Sequence, residues 1–127
     1  MAWQGQSTSD ILVASDTVST IATVPVRAGA ERLWFSLELT ADNPLSDFCV
    51  DVQPHATAAW TTVASDSADF STNIQNPILG VGGNPVNLAA SGTSLIWMDV
   101  KGLANVRFRC MASDASDANV NYYWQQR

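Results

Sequence analysis

From residue 33 the chain alternates without interruption, with Leu33, Phe35, Leu37 and Leu39 separated by Trp34, Ser36, Glu38 and Thr40. A period of two is the signature of a strand with one face buried. The same alternation returns after an Asp42-Asn43-Pro44 turn, where Phe48, Val50 and Val52 interleave with Cys49, Asp51 and Gln53, and Pro54 closes the run. These two segments are expected to pair as a hairpin. Near the carboxy terminus Val106, Phe108 and Cys110 alternate with Arg107, Arg109 and Met111. After a turn at residues 113–118, Val120, Tyr122 and Trp124 alternate with Asn121, Tyr123 and Gln125.

Less regular segments fill in the rest. Residues 11–13 and 18–26 are β-branched and Thr-rich, and Pro25 marks the second as an edge strand because it cannot donate to a ladder. Residues 60–64 form another strand, followed by a polar, turn-rich stretch at 65–73. Residues 76–92 carry Pro77, Gly80, Gly82, Gly83, Pro85 and Gly92 with no clear period, which predicts a long functional or interface loop. At residues 95–100, Leu95, Ile96, Trp97 and Met98 leave no polar face before Asp99, as expected of a strand buried centrally or covered by a partner. Lys101-Gly102 then turns the chain.

No segment sustains a 3.6 period, and strands recur at short intervals with turn residues between them. The prediction is an all-β, single-domain antiparallel β-sandwich over residues 10–127, with a jelly roll as one form of it. Residues 1–9 have no period and are polar apart from Trp3, so they are expected to be a flexible arm with Trp3 as its anchor.

Composition narrows the function. The chain has 127 residues, of which 46% are hydrophobic, enough for one core. Only 14% are charged, with twelve Asp plus Glu against six Lys plus Arg and a net charge of -6. Such a chain has no basic face with which to neutralise phosphates, so nucleic acid is not an expected partner. No apolar stretch approaches membrane-spanning length, and no membrane association is expected. The start, Met1-Ala2-Trp3-Gln4-Gly5-Gln6, lacks the charged and apolar pattern of a secretory signal. Cys49 and Cys110 are too few for a disulfide scaffold, and the alternation sets them on opposite faces, so free thiols in a reducing cytoplasm are expected.

Catalytic chemistry finds little support. His55 is the only histidine, in a Gln53-Pro54-His55 turn, and no nucleophile elbow accompanies it. The pairs Asp66/Asp69 and Asp114/Asp117 read as turn-capping residues and not as a metal site. Gly80-Val81-Gly82-Gly83 lacks the following helix and Lys of a phosphate cradle and reads as a hinge or turn. No catalytic, cofactor-binding or metal-binding residue is assigned.

The aromatic residues say more, because five Trp exceed what one small core should hold. Trp34 shares a face with Ser36 and Glu38, and Tyr123 shares one with Asn121 and Gln125. Such rings fit two uses, stacking on sugars or anchoring a neighbouring subunit. Arg107 and Arg109 project to one side and call for acidic partners, which another copy of this acidic chain would supply. The expected interface set is Trp3, Trp34, Trp97, Arg107, Arg109 and Tyr123, in a homo-oligomer for which a trimer is the expected form.

The run Trp97-Met98-Asp99-Val100-Lys101-Gly102-Leu103-Ala104-Asn105-Val106-Arg107-Phe108-Arg109 resembles a pattern of tailed-phage virion proteins: an aromatic strand, "DV-x-G", a short turn, then "VR-x-R". Upstream, residues 33–39, the "V-x-V-Q" of Val50 to Gln53, and the "W-T-x-V" of Trp60-Thr61-Thr62-Val63 resemble the same family's strands. Those relatives often carry Ser-Gly where this chain has Ala115-Ser116-Asp117. The resemblance spans residues 33–125 and is one of rhythm. It implies a non-enzymatic capsid decoration, or cement, protein that binds the major capsid protein and sister subunits on the virion, after assembly in the host cytoplasm. A carbohydrate-binding module and a tail or fibre component are the alternatives.

Overall fold

The computed structural model describes residues 3–7, 11–15, 17–39, 44–65, 79–82, 92–112 and 117–127. These form ten strands: β1 (Gly5–Gln6), β2 (Ile11–Val13), β3 (Ser19–Pro25), β4 (Arg32–Leu39), β5 (Leu45–Gln53), β6 (Thr61–Ser65), β7 (Leu79–Gly82), β8 (Gly92–Asp99), β9 (Asn105–Ala112) and β10 (Ala118–Gln126). No helix occurs among the described residues, and every strand pairing is antiparallel.

The strands divide between two sheets packed face to face. Sheet A runs β1-β10-β4-β8-β7, with β2 also on β10, and sheet B runs β3-β9-β5-β6. The protein is therefore an all-β sandwich, as the alternation predicts. The expected hairpin of β4 with β5 does not form, because β4 lies between β10 and β8 in one sheet and β5 between β9 and β6 in the other. Both strands have an apolar face, and those faces meet across the sandwich instead of side by side. Phe35 of β4 and Phe48 of β5 contact each other from opposite sheets, with ring centroids 6.5 Å apart.

Aromatic stacking organises the core. Phe35 is sandwiched between Phe108 of sheet B, at 3.7 Å, and Tyr122 of its own sheet, at 5.6 Å. Around these rings lie Leu33, Leu37, Ile96, Met98, Val50, Val106 and Cys110, all buried. Each fully buried apolar side chain of this size contributes roughly 1.5–3 kcal/mol relative to exposure. Bulges adjust the alternation where the pattern breaks. The register shift between Thr20 and Ala22 lets both Ile21 and Ala22 face inward. β3 lies at an edge of sheet B, in keeping with Pro25.

Two expectations for irregular segments change. Part of the predicted loop is strand, because β7 pairs with β8 and β8 itself begins at Gly92. The glycines read as a hinge therefore include Gly80 and Gly82 in a ladder, opposite Trp97 and Leu95. The rest of that loop, the polar stretch after residue 65 and Asp66, Asp69 and Asp114 lie outside the described residues. The expected flexible arm is also paired: Gly5 stands opposite Trp124 and Gln6 opposite Tyr123. Side chains fasten it further, with Gln126 N–H donating to Gln4 Oε1 at 2.8 Å and Tyr122 N–H donating to Ser7 Oγ at 3.1 Å. Polar residues without a period can hold a strand edge through such bonds, which a hydrophobic pattern does not record.

Candidate interaction surfaces

The six residues expected at an interface separate onto opposite sides of the sandwich. Trp3, Trp34, Trp97 and Tyr123 belong to the outer face of sheet A, and Arg107 and Arg109 to the outer face of sheet B.

On sheet A the ladder sets outward side chains in rows across β10, β4 and β8. Gln125, Trp34 and Trp97 form one row; Tyr123, Ser36 and Leu95 form the next; Asn121, Glu38 and Thr93 form a third. Trp3 reaches this face from the β1 edge and rests on Tyr123, with centroids 6.1 Å apart. The close fit of β1 depends on Gly5, since a Cβ there would fall inside the Trp124 indole. Guanidiniums cover two of the rings: Arg32 lies 4.7 Å from the Trp97 ring and Arg127 lies 5.7 Å from that of Trp34. Trp34, Trp97 and Tyr123 are half-buried, whereas Trp3 is 39% exposed. Leu12 is 65% exposed on the same edge strand pair, opposite Asn119 of β10. Leu12 falls outside the expected interface set. Its signal is present in the sequence, because in a three-residue strand the neighbours Ile11 and Val13 take one face and leave Leu12 on the other.

On sheet B the two arginines converge on one carboxylate. Asp51 of β5 stands opposite Arg107 of β9 and opposite Thr62 of β6, and Arg109 stands one diagonal step away opposite Cys49. Arg107 donates from Nε to Asp51 Oδ2 at 2.8 Å, and its Nη2 lies 2.8 Å from the same oxygen. Arg109 donates from Nε to Oδ2 at 2.6 Å and from Nη2 to Oδ1 at 3.2 Å. Thr62 Oγ1 donates to Oδ1 at 2.7 Å. The Asp51 side chain is 1% exposed, against 25% and 26% for Arg107 and Arg109, so the arginines roof the acid. Trp60 backs Arg107, its ring 4.4 Å from the guanidinium carbon.

The electrostatics follow from this geometry. Burial works against charge on Asp51, but hydrogen bonds from Arg109, Thr62 and Arg107 outweigh it and hold the carboxyl below its ordinary range. The hydrogen bond to Asp51 in turn raises Arg109, against the opposing effect of burial. The carboxylate sought in a second copy is thus supplied by the chain itself. The alternation shows Asp51 only as a polar position between Val50 and Val52, and finding it requires the register between β5 and β9. Below this group, Asn105 Nδ2 donates to Gln53 Oε1 at 2.8 Å, continuing a polar ladder along the same face.

Of the remaining candidates, Cys49 shares the outer face of sheet B with the Asp51 cluster, opposite Arg109, whereas His55 and Cys110 stay apart from both faces. His55 is exposed in its turn, with Nδ1 3.2 Å from Thr57 Oγ1. Cys110 points into the core and Cys49 lies on the opposite face of sheet B, and no disulfide joins them. Burial, reinforced by the neighbouring Cys49, pushes the Cys110 thiol up to about 12. Compared with known proteins, the chain matches no family model, no curated protein and no solved structure.

Proposed function

We propose that this protein is a non-enzymatic structural component of a bacteriophage particle, a capsid decoration protein that attaches to the coat through the β1/β2 edge of sheet A. The observation that carries this reading is the placement of Trp3 and Leu12. They are the exposed large hydrophobic residues among those described, and both lie along β10 on one edge of one sheet. Exposed apolar residues gathered beside a half-buried aromatic band suit a protein-binding surface. The resemblance of residues 33–125 to tailed-phage virion proteins supports the same reading. So does the strand order: β2-β10-β4-β8 facing β3-β9-β5-β6 reads as a jelly roll, an architecture used by viral capsid and lectin domains alike.

The carbohydrate-binding alternative draws less support from the geometry. A sugar stacks on an open ring face, and guanidiniums already occupy faces of Trp34 and Trp97. Co-sedimentation with particles of the phage whose genome carries this gene tests the proposal. Wild-type protein should pellet with the particles, and Trp3→Ala and Leu12→Asp should each weaken attachment without unfolding the sandwich. Absence of the protein from purified particles, or attachment unaffected by both changes, overturns it.

A further inference from the structure

The outer face of sheet A is patterned along its strands in a way that suits a second copy of itself. Arg32 and Glu38 occupy outward positions at opposite ends of β4, six residues apart, which is about 20 Å along a strand. Between them lie Trp34 and Ser36. On β8 the corresponding outward positions are Asp99 beside Arg32, Trp97 beside Trp34, Leu95 beside Ser36 and Thr93 beside Glu38. Glu38 is half-buried and pairs with no cation among the described residues. Arg32 meets Asp99 only at 3.9 Å, with both side chains about half exposed.

We infer that two copies pair face to face through this surface, about a two-fold axis lying between the sheets and perpendicular to the strands. That operation lays β4 on β4 and β8 on β8 in opposite directions and reverses the order of the rows. Arg32 of each copy then faces Glu38 of the other, at two equivalent places. Large residues face smaller ones: Trp34 lies over Ser36, a low point flanked in its row by Tyr123 and Leu95, and Trp97 lies over Leu95. On the flank, β7 sets Gly80 and Gly82 at the positions beside Trp97 and Leu95. An axis parallel to the strands lacks this complementarity, since it sets each row over itself. Isologous pairing requires a surface that is complementary to its own reversed copy.

The size of the face sets the strength expected. β10, β4 and β8 at about 4.8 Å spacing and about 24 Å of strand length, with the short β1 and β7 beside them, give about 450 Å² per copy, below the roughly 600 Å² per partner of the smaller specific interfaces. The dimer is accordingly concentration-dependent. A two-fold pair also differs from the trimer that composition and pattern predict. The inference rests on the decoration reading, in which sister subunits as well as the coat are partners, and it gives the outer face of sheet A to a sister subunit and leaves the β1/β2 edge to the coat.

Sedimentation equilibrium over a concentration series tests the pairing with charge reversals. Glu38→Arg alone sets the new arginine against Arg32, and Arg32→Glu alone sets the new glutamate against Glu38, so each variant should dimerise at least about tenfold more weakly than wild type. An equimolar mixture of the two should regain dimer, because in the mixed pair one contact is the native Arg32 with Glu38 and the other is the same pair with its charges exchanged. Circular dichroism melts establish that both variants are folded. If either is not, Glu38→Gln and Arg32→Gln replace them, and the expectation becomes equal weakening by each with no further loss in the double variant. Wild type that stays monomeric at its highest soluble concentration overturns the pairing, as does a mixture that remains as dissociated as its components. A monomer that still attaches to particles refutes the pairing and leaves the decoration reading standing. A dimer absent from particles does the reverse.

Discussion

Arg109 binds both oxygens of Asp51, at 2.6 and 3.2 Å, although the ladder sets Arg109 directly opposite Cys49 and gives the position opposite Asp51 to Arg107. The diagonal reach lets one buried acid hold two guanidiniums that would otherwise repel. Three charges summing to +1 are thereby fixed on the outer face of sheet B, linking β5, β6 and β9 through side chains as well as backbone.

Removing the acid should be costly. Asp51→Ala leaves two partly buried arginines side by side with no counter-charge, and breaking such a group by deleting one partner typically costs about 3–5 kcal/mol. Asp51→Asn, which keeps some acceptor capacity, should cost less. Urea unfolding monitored by tryptophan fluorescence measures both, and a loss below about 1 kcal/mol for the alanine variant would show the cluster to be energetically idle.

Arg107→Ala and Arg109→Ala should act on folding before assembly, because the partner of both is within the chain. Each variant leaves Asp51 with the other arginine, so losses of about 1.5–3 kcal/mol are expected, the range for hydrogen bonds to charged groups. Unfolding midpoints of the monomer across a salt series check this. Variants as stable as wild type that nevertheless lose assembly would transfer the role of these residues to an intermolecular contact.

Acid should weaken the fold through the same group. The Asp51 carboxyl ionises more readily when folded than at its ordinary value of 3.8, so the unfolded chain takes up the proton first. The stabilisation is therefore complete above that ordinary value and is lost as pH falls below it and through the lowered folded value. The stability difference between wild type and Asp51→Asn should shrink over that acid window and stay constant between pH values of about 5 and 7. A difference that is flat down to strongly acidic pH contradicts the linkage.

Gly5→Ala should release β1. The added Cβ meets the Trp124 indole, and either the ring or the strand must move, at a cost of about 1–3 kcal/mol. The expected signs are a shift in tryptophan emission and faster amide exchange at Tyr122 and Trp124, with exchange at Phe108 unchanged. Uniform acceleration across both sheets would mean that β1 is integral to the core.

Cys110 should resist modification in the folded state. A thiol that is fully buried and pushed up to about 12 supplies almost no thiolate near a pH of about 8. Titration with a thiol reagent at that pH should find Cys110 unreactive until denaturant is added, and peptide mapping identifies the labelled residue. Rapid native labelling at Cys110 would reveal local opening of β9.

Much of this architecture was legible in the order of the residues. The alternations at Leu33 to Leu39, Phe48 to Val52, Val106 to Cys110 and Val120 to Trp124 state which side chains face inward, because the direction of a side chain on a strand depends only on its position in a period of two. That local rule placed Arg107 and Arg109 outside and Cys49 and Cys110 on opposite faces. Pairing obeys no local rule. Phe35 and Phe48 look like hairpin neighbours from the turn between them, yet the two strands enter different sheets because their apolar faces bury each other more completely across the sandwich. The partner of the two arginines was similarly hidden, since Asp51 is 56 residues from Arg107 and only the β5–β9 register brings the carboxylate beneath both guanidiniums. The short strand β1 beside Trp3 was hidden for a different reason, because backbone and amide hydrogen bonds fasten it to β10 and polar residues leave no period to read. The order of the residues dictates the face of each strand. Which strands adjoin is a matter for the folded chain alone, since that depends on where apolar surface and buried charge find their complements at long range.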